Sequence, residues 1–123
     1  MPFAGLIGAE LVSASPSEVR GRLEWAPERC TTGGILHGGV LMALADSTGG
    51  YCAALNMPVG AGTATIESKT NFFRAVREGF VEAVSTPLHV GRTTIVVQTD
   101  LLDGSGRRVA RVTQTQAVIA AAS

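Results

Sequence analysis

The chain has 123 residues, with ten basic side chains against ten acidic ones, and is 46% hydrophobic but only 5% aromatic. That is the length of one domain, large enough for a core and small enough that association with other copies would help it. Balanced charge excludes a global field that would draw it to nucleic acid or an anionic membrane, and no apolar run reaches the roughly 18 to 20 residues of a membrane span.

The start, "MPFAGLIGAELV", has no basic segment before its short apolar run and is not expected to be a signal peptide. Residues 2 to 9 suit one short helical turn. In "VSASPSEVRGRLEWAP", Val19, Gly21, Leu23 and Trp25 alternate with Glu18, Arg20, Arg22 and Glu24, the period of a strand with one wet face. "ERCTTGG" reads as a loop. Residues 35 to 55 are too long for a strand and rich in Ala, Leu and Met. They predict a helix with apolar residues on nearly every side, buried by neighbours all round. "NMPVGAG" carries the Asn, Pro and Gly that stop a helix. The remainder is β-rich: "TATIESKTNFF", the loop "RAVREG", then "FVEAVSTPLHVG" and "RTTIVVQTDLLD", the turn "DGSG", and "RRVARVTQTQAVIA" with a Thr-Gln alternation that suits one polar face. One strand, a long helix and four strands joined by short turns predict an α+β domain spanning 1–123, an antiparallel β-sheet wrapped around one central helix. Cys30 and Cys52 form neither a CxxC nor a metal-ligand spacing and are expected as reduced thiols of a cytoplasmic protein.

The stretch "GGILHGGVLMALADSTGGYCAAL" carries the chemistry. Gly38 and Gly39 fall at the start of the helix, where backbone N–H groups lack intrahelical acceptors and the dipole is positive. Glycine lets another group approach that backbone, so the site can hold a developing oxyanion, or it can serve only tight packing. Asp46 stands in an apolar helix, and no Lys or Arg occurs from residue 30 to 68. A carboxylate is costly to bury there as an ion, and acids so perturbed concentrate at functional sites; the plainer alternative is an Asp on an exposed helix face. Gly38 and Asp46 are eight residues apart, about 12 Å along a helix axis. Both groups must come within about 3 Å of one reacting carbon, so one copy of the helix cannot supply both. If both are catalytic, the enzyme is at least a dimer with composite sites. His37 precedes the glycines, where an imidazole more often orders the entry loop than moves a proton. Gly49 and Gly50, unusual inside a helix, indicate either a close neighbour or space for a ligand. His89 is expected at the surface or on a substrate rim.

"LHGGVLMALADS" resembles the signature of hotdog-fold acyl-CoA thioesterases, the type related to phenylacetate degradation and to 4-hydroxybenzoyl-CoA thioesterase, in which an acid follows the His of HGG by nine residues. "TNFFRAVREGFVEAV" and "HVGRTTIVV" are similar to later strands of that family, and the likeness covers about residues 3 to 119. It implies the hotdog fold and hydrolysis of a small, aromatic or other acyl-CoA, with coenzyme A part of the substrate and no separate cofactor or metal. It implies that Gly38 N–H polarises the thioester carbonyl beside His37 and Gly39, and that Asp46 is nucleophile or general base on water. It implies a site at a dimer interface, with a homotetramer as the expected assembly. Arg74 and the turn Gly91, Arg92, Thr93 match positions that contact the nucleotide and phosphates of coenzyme A. The chain departs from the pattern at three places. Thr31 stands six residues before the His, where Gln or Asn is usual. Gly50 stands four after the acid, where Ser or Thr is usual, and Ala75 replaces the Pro after "FFR". A non-catalytic acyl-CoA-binding module of the same fold competes with this reading, and an acyl-thioester dehydratase or hydratase ranks below both because "GGILHGGV" lacks its proline-bearing loop.

Overall fold

The computed structural model describes residues 1–120. Pro2 opens a short helix, α1 (Pro2–Ile7), which Gly8 ends at φ 84°. The expected first strand is instead a hairpin, β1 (Ala9–Ser15) and β2 (Glu18–Glu24), turning at Pro16 and Ser17. β2 shows the expected alternation, with Val19, Gly21 and Leu23 buried. β1 lies at a sheet edge and is exposed along almost its whole length, so it has no apolar period to read. Trp25 lies beyond β2, half-buried, with its indole N–H on the Gly34 carbonyl at 3.0 Å.

The central helix, α2, runs Gly38–Ala54, three residues shorter at its start than the sequence suggests. Two glycines with positive φ, Gly33 and Gly34, turn the chain ahead of it. The backbone N–H of Leu36 then bonds to Val76 and that of His37 to Arg29, which holds residues 35–37 extended. At the far end Asn56 closes the helix as expected, donating from Nδ2 to the Cys52 carbonyl and to Pro16 in the β1–β2 turn. One expectation fails. α2 is not enclosed on every side: Leu41, Leu44, Ala45, Thr48, Cys52 and Ala53 are buried, while Met42 and Asp46 on one flank and Tyr51 and Leu55 on the other are exposed. Apolar residues all round a helix indicate contact all round, but one chain supplies only one side of it.

Four further strands follow, β3 (Gly62–Phe72), β4 (Phe80–Val90), β5 (Thr94–Asp103) and β6 (Arg108–Ile119). All six strands form one antiparallel sheet in the order β1-β2-β4-β5-β6-β3, with α2 packed on one face. The α+β arrangement expected from the sequence is therefore present. The core joins Leu41, Leu44 and Ala45 of α2 to Leu23, Val81, Ala83, Leu101 and Val112 of the sheet. The other face is charged: Arg20 and Arg22 hold Glu82 at 2.8 and 2.9 Å, and Arg22 lies 4.1 Å above the Phe80 ring. Those hydrogen bonds, Arg22 foremost, pull the Glu82 carboxyl below its ordinary range. β3 is the second edge strand, and a bulge at Thr65/Glu67 interrupts its pairing to β6. Both cysteines are free, and burial pushes the Cys52 thiol up. Among the described residues no helix is long and apolar enough to cross a membrane.

Candidate active site

The first turn of α2 distributes its donors unevenly. His37 is the N-cap: its Nδ1 accepts from Gly39 N–H at 2.8 Å, and its carbonyl accepts from Val40 and Leu41 at 3.0 and 3.3 Å. Among the described residues the Gly38 N–H has no acceptor, so it is the one donor of that turn left to a ligand. An imidazole that accepts at Nδ1 carries its proton at Nε2 when neutral. With Nδ1 taken up by the cap, the His37 ring fixes the first turn of α2. Gly39 is glycine because a Cβ there would sit 2.9 Å from His37 Nδ1.

Gly38 opens onto a cleft of about 350 Å³ lined by Thr31, Leu41, Phe72, Phe73 and Arg74. The Phe72 ring lies against it, 3.2 Å from where a Cβ would stand. Thr31 is held at the cleft wall through its N–H on Ile35 at 2.8 Å.

Asp46 lies two turns further along α2, exposed in this chain rather than buried, and no Lys or Arg pairs with it among the described residues. It lines a second cavity of about 270 Å³, together with Ser47, Gly50, Tyr51, Thr63, Thr65 and Gln116. The two glycines expected to mark either packing or space do one each. A Cβ on Gly49 would meet the buried Gln114 amide at 2.8 Å, whereas a Cβ on Gly50 would meet nothing within 4 Å.

The candidate residues fall into two groups. Phe72 pairs with Ala110 at one end of the β3–β6 ladder and Gly62 with Ile119 at the other. The Arg74 N–H bonds to Val109, which sets Arg74 beside the Gly38 cleft. The Gly91–Thr93 turn lies at the opposite end, with the Thr93 carbonyl accepting from Val118 at 2.9 Å. Ten residues of strand separate these ends by roughly 30 Å. One chain thus unites Thr31, Gly38 and Arg74 at one cleft, with His37 and Gly39 beside Gly38 in the chain but lining a separate cavity with Glu28 and Arg29, and places Asp46 and Gly50 towards the end that carries Arg92. It does not unite Gly38 with Asp46. His89 is exposed at the end of β4, as expected.

Gln116 and Thr65 were not singled out by the sequence. The Thr-Gln alternation of β6 suggests one polar face, but Gln114 and Gln116 point to the helix side and are buried, while Thr113 and Thr115 face outward. Polar residues on both faces of a strand leave no apolar signal to orient it. The usable signal was that the alternation carries no hydrophobic residue at all opposite a helix bearing an acid.

Residues 33–110 match the family model described as Thioesterase superfamily. In sequence the chain is 34% identical over 86 residues to 1,4-dihydroxy-2-naphthoyl-CoA hydrolase of Escherichia coli, covering 70% of this chain and 63% of that one. A crystal structure of a thioesterase from Haemophilus influenzae superposes with a TM-score of 0.92 at 26% identity, covering 96% of this chain and 82% of the other. A variant of a phenylacetic acid degradation protein from Thermus thermophilus superposes with a TM-score of 0.87 at 25% identity, covering 95% and 98%. The chain spans about half the length of two further bacterial relatives that it matches in sequence.

Proposed function

The chain belongs to the Thioesterase superfamily and has the hotdog fold, and from that premise we propose that it hydrolyses a small acyl-CoA to the free acid and coenzyme A. The observation that carries this reading is the single unbonded donor of the α2 first turn, Gly38 N–H, at the mouth of a cleft that also holds Arg74. A thioester carbonyl set there accepts that hydrogen bond, which strengthens as the oxygen gains charge, an effect of about 10²- to 10³-fold in rate per donor. Asp46 of the partner subunit supplies the second group, either attacking the carbonyl carbon itself or removing a proton from a water that does. The C–S bond then breaks, and coenzyme A leaves as a thiolate that takes up a proton; on the nucleophilic route a water then hydrolyses the acyl–Asp46 anhydride, which releases the acid and restores the carboxylate. Aromatic acyl groups are the first class to assay. The naphthoyl-CoA hydrolase and the phenylacetic acid protein among its relatives support that choice, as do Phe72 and Phe73 on the cleft wall. Arg74 from one subunit and the Gly91, Arg92, Thr93 turn from the other are proposed to hold the nucleotide and phosphates. Coenzyme A arrives with the substrate, and the reaction needs no other cofactor.

Association of two copies is supported by exposed apolar residues on α2, among them Met42, and by β3, an exposed edge strand of eleven residues carrying Ile66 and Phe72. A two-fold axis beside β3 would bring the Gly38 end of one chain to the Asp46 end of the other. Phe3 and Leu6, exposed on α1, support further assembly to a homotetramer.

The test uses two dead halves. Gly38→Pro removes the N–H at the first helical position, where the backbone suits Pro because His37 is already extended (φ −61°, ψ 132°), and where the new ring pushes aside the half-exposed Phe72 ring. Asp46→Asn removes the carboxylate. Each alone is expected to lower kcat on a benzoyl-, phenylacetyl- or hydroxybenzoyl-CoA panel by at least about 100-fold, with binding retained. Mixed and re-associated, the two variants regain part of the wild-type rate, because each mixed dimer holds one intact site. No recovery on mixing would overturn the composite site, and wild type that binds acyl-CoA without hydrolysing any of the panel would leave the non-catalytic binding module.

A further inference from the structure

The cavity beside Asp46 is polar on the side away from the helix. Gln116 on β6 is 2% exposed and directly opposite Thr65 on β3, and its Nε2 donates to Thr65 Oγ1 at 2.9 Å. That bond fixes the amide. Among the described residues nothing donates to Gln116 Oε1, and the Thr65 hydroxyl keeps its own proton free to give. Both residues line the same cavity as Asp46 and Gly50. Position 50 has no side chain, and a Cβ there would meet nothing within 4 Å, so the space between the carboxylate and the Gln116–Thr65 pair is open. A cavity of about 270 Å³ has room for several waters at about 30 Å³ each. The resemblance leads one to expect an amide at position 31 and a hydroxyl at position 50; the first is a shorter threonine and the second a bare glycine, so neither of the usual side chains is present to hold a water.

We propose that Gln116 and Thr65 hold the attacking water against Asp46, taking over the work of the missing side chains at positions 31 and 50. This rests on the thioester hydrolysis proposed above and selects the general-base route within it. The water donates one hydrogen bond to Asp46 and one to Gln116 Oε1, and accepts one from the Thr65 hydroxyl. Asp46 takes the first proton as the water oxygen bonds to the carbonyl carbon. Collapse of the tetrahedral adduct breaks the C–S bond, and Asp46 returns the proton to the coenzyme A thiolate. All three residues come from one chain, so the water is held by the subunit that supplies the acid, and the thioester oxygen by its partner.

The experiment compares Gln116→Met, which keeps volume and loses both hydrogen-bonding atoms, with Thr65→Val and Asp46→Asn in the full chain, on whichever acyl-CoA of the panel turns over. The expected result is a kcat lowered about 10- to 100-fold in Gln116→Met and about 3- to 10-fold in Thr65→Val, with KM within about threefold of wild type. A role in acyl binding would move KM instead. Thr65 is exposed, so its variant decides the matter should Gln116→Met fail to fold. Wild-type kcat in the variants, or a raised KM at unchanged kcat, overturns the water site. If Asp46→Asn is inactive in that same comparison, the thioesterase reading survives alone. Wild-type kcat in Asp46→Asn, or no hydrolysis by wild type, removes both.

Discussion

Replacing His37 separates two roles that a histidine beside a catalytic glycine could play. Its Nδ1 caps α2, and Asn caps a helix about as well as any residue, whereas Ala loses about 1 kcal/mol. His37→Asn is therefore expected to keep the melting temperature and most of kcat, and His37→Ala to lose several degrees; thermal melts and steady-state rates on both check it. A loss of activity in the Asn variant as large as in Asp46→Asn would show that the ring moves protons after all. The two glycines past Asp46 should part in the same way. Gly49→Ala drives a methyl to within 2.8 Å of the buried Gln114 amide and is expected to destabilise by about 1–3 kcal/mol. Gly50→Ala meets no atom and removes a helix-interior glycine, so it should stabilise by up to about 1 kcal/mol. Its methyl enters the cavity of Asp46, and kcat should fall by about tenfold as stability rises. Denaturant titration beside an acyl-CoA assay reads both.

Among the elements, the β5–β6 turn has a stability of its own that depends on pH. Partial desolvation pushes the Asp103 carboxyl up, but the Ser105 hydroxyl, the backbone N–H groups of Arg107 and Ser105, and the Arg107 charge outweigh it and hold the group down from 3.8 to about 2. A depressed carboxylate contributes stability that is fully present above pH 4 and is lost as the pH falls through about 2. Asp103→Asn should melt a few degrees below wild type at pH 7, and the two curves should converge towards pH 2; equal melting temperatures at pH 7 would refute it. "DGSG" was legible as this turn, since its chemistry is local. β2, β4, β5 and β6 were legible because burial on one side imposes a period, α2 because its apolar run is too long for a strand, and β3 from its place between the helix stop and the loop "RAVREG". β1 was not, since an exposed edge strand has no period to display, and the start of α2 was misplaced because Ile35 and Leu36 are apolar for an extended segment bonded to Val76 and Arg29. Gly38, Asp46 and their incompatibility within one helix could be read from spacing alone. Gln116 could not, because pairing with Thr65 is set by a register between strands more than forty residues apart in the chain.

At the scale of the molecule, the exposed side of α2 makes a sharp prediction. Met42 is 43% exposed and one turn from Asp46. On a chain that works alone, Met42→Glu is a surface change worth within about ±0.5 kcal/mol. Under a second copy it buries an unpaired carboxylate. Sedimentation or gel filtration should then find the variant as monomer, folded by circular dichroism, with acyl-CoA hydrolysis lost in proportion; a variant that stays associated and active would place the interface elsewhere. The bulge in β3 bears on the same architecture. Thr65 and Phe72 are seven apart, an odd step that in a regular strand would send them to opposite faces. Their partners on β6, Gln116 and Ala110, are six apart and share a face, and the extra residue at the bulge is what reconciles the two counts. The strand can wall the Asp46 cavity with one end and lie over Gly38 with the other only because it carries one residue too many. Deleting Ile66, with Thr65, Phe72 and Gln116 left intact, would turn either Thr65 or Phe72 away from the helix.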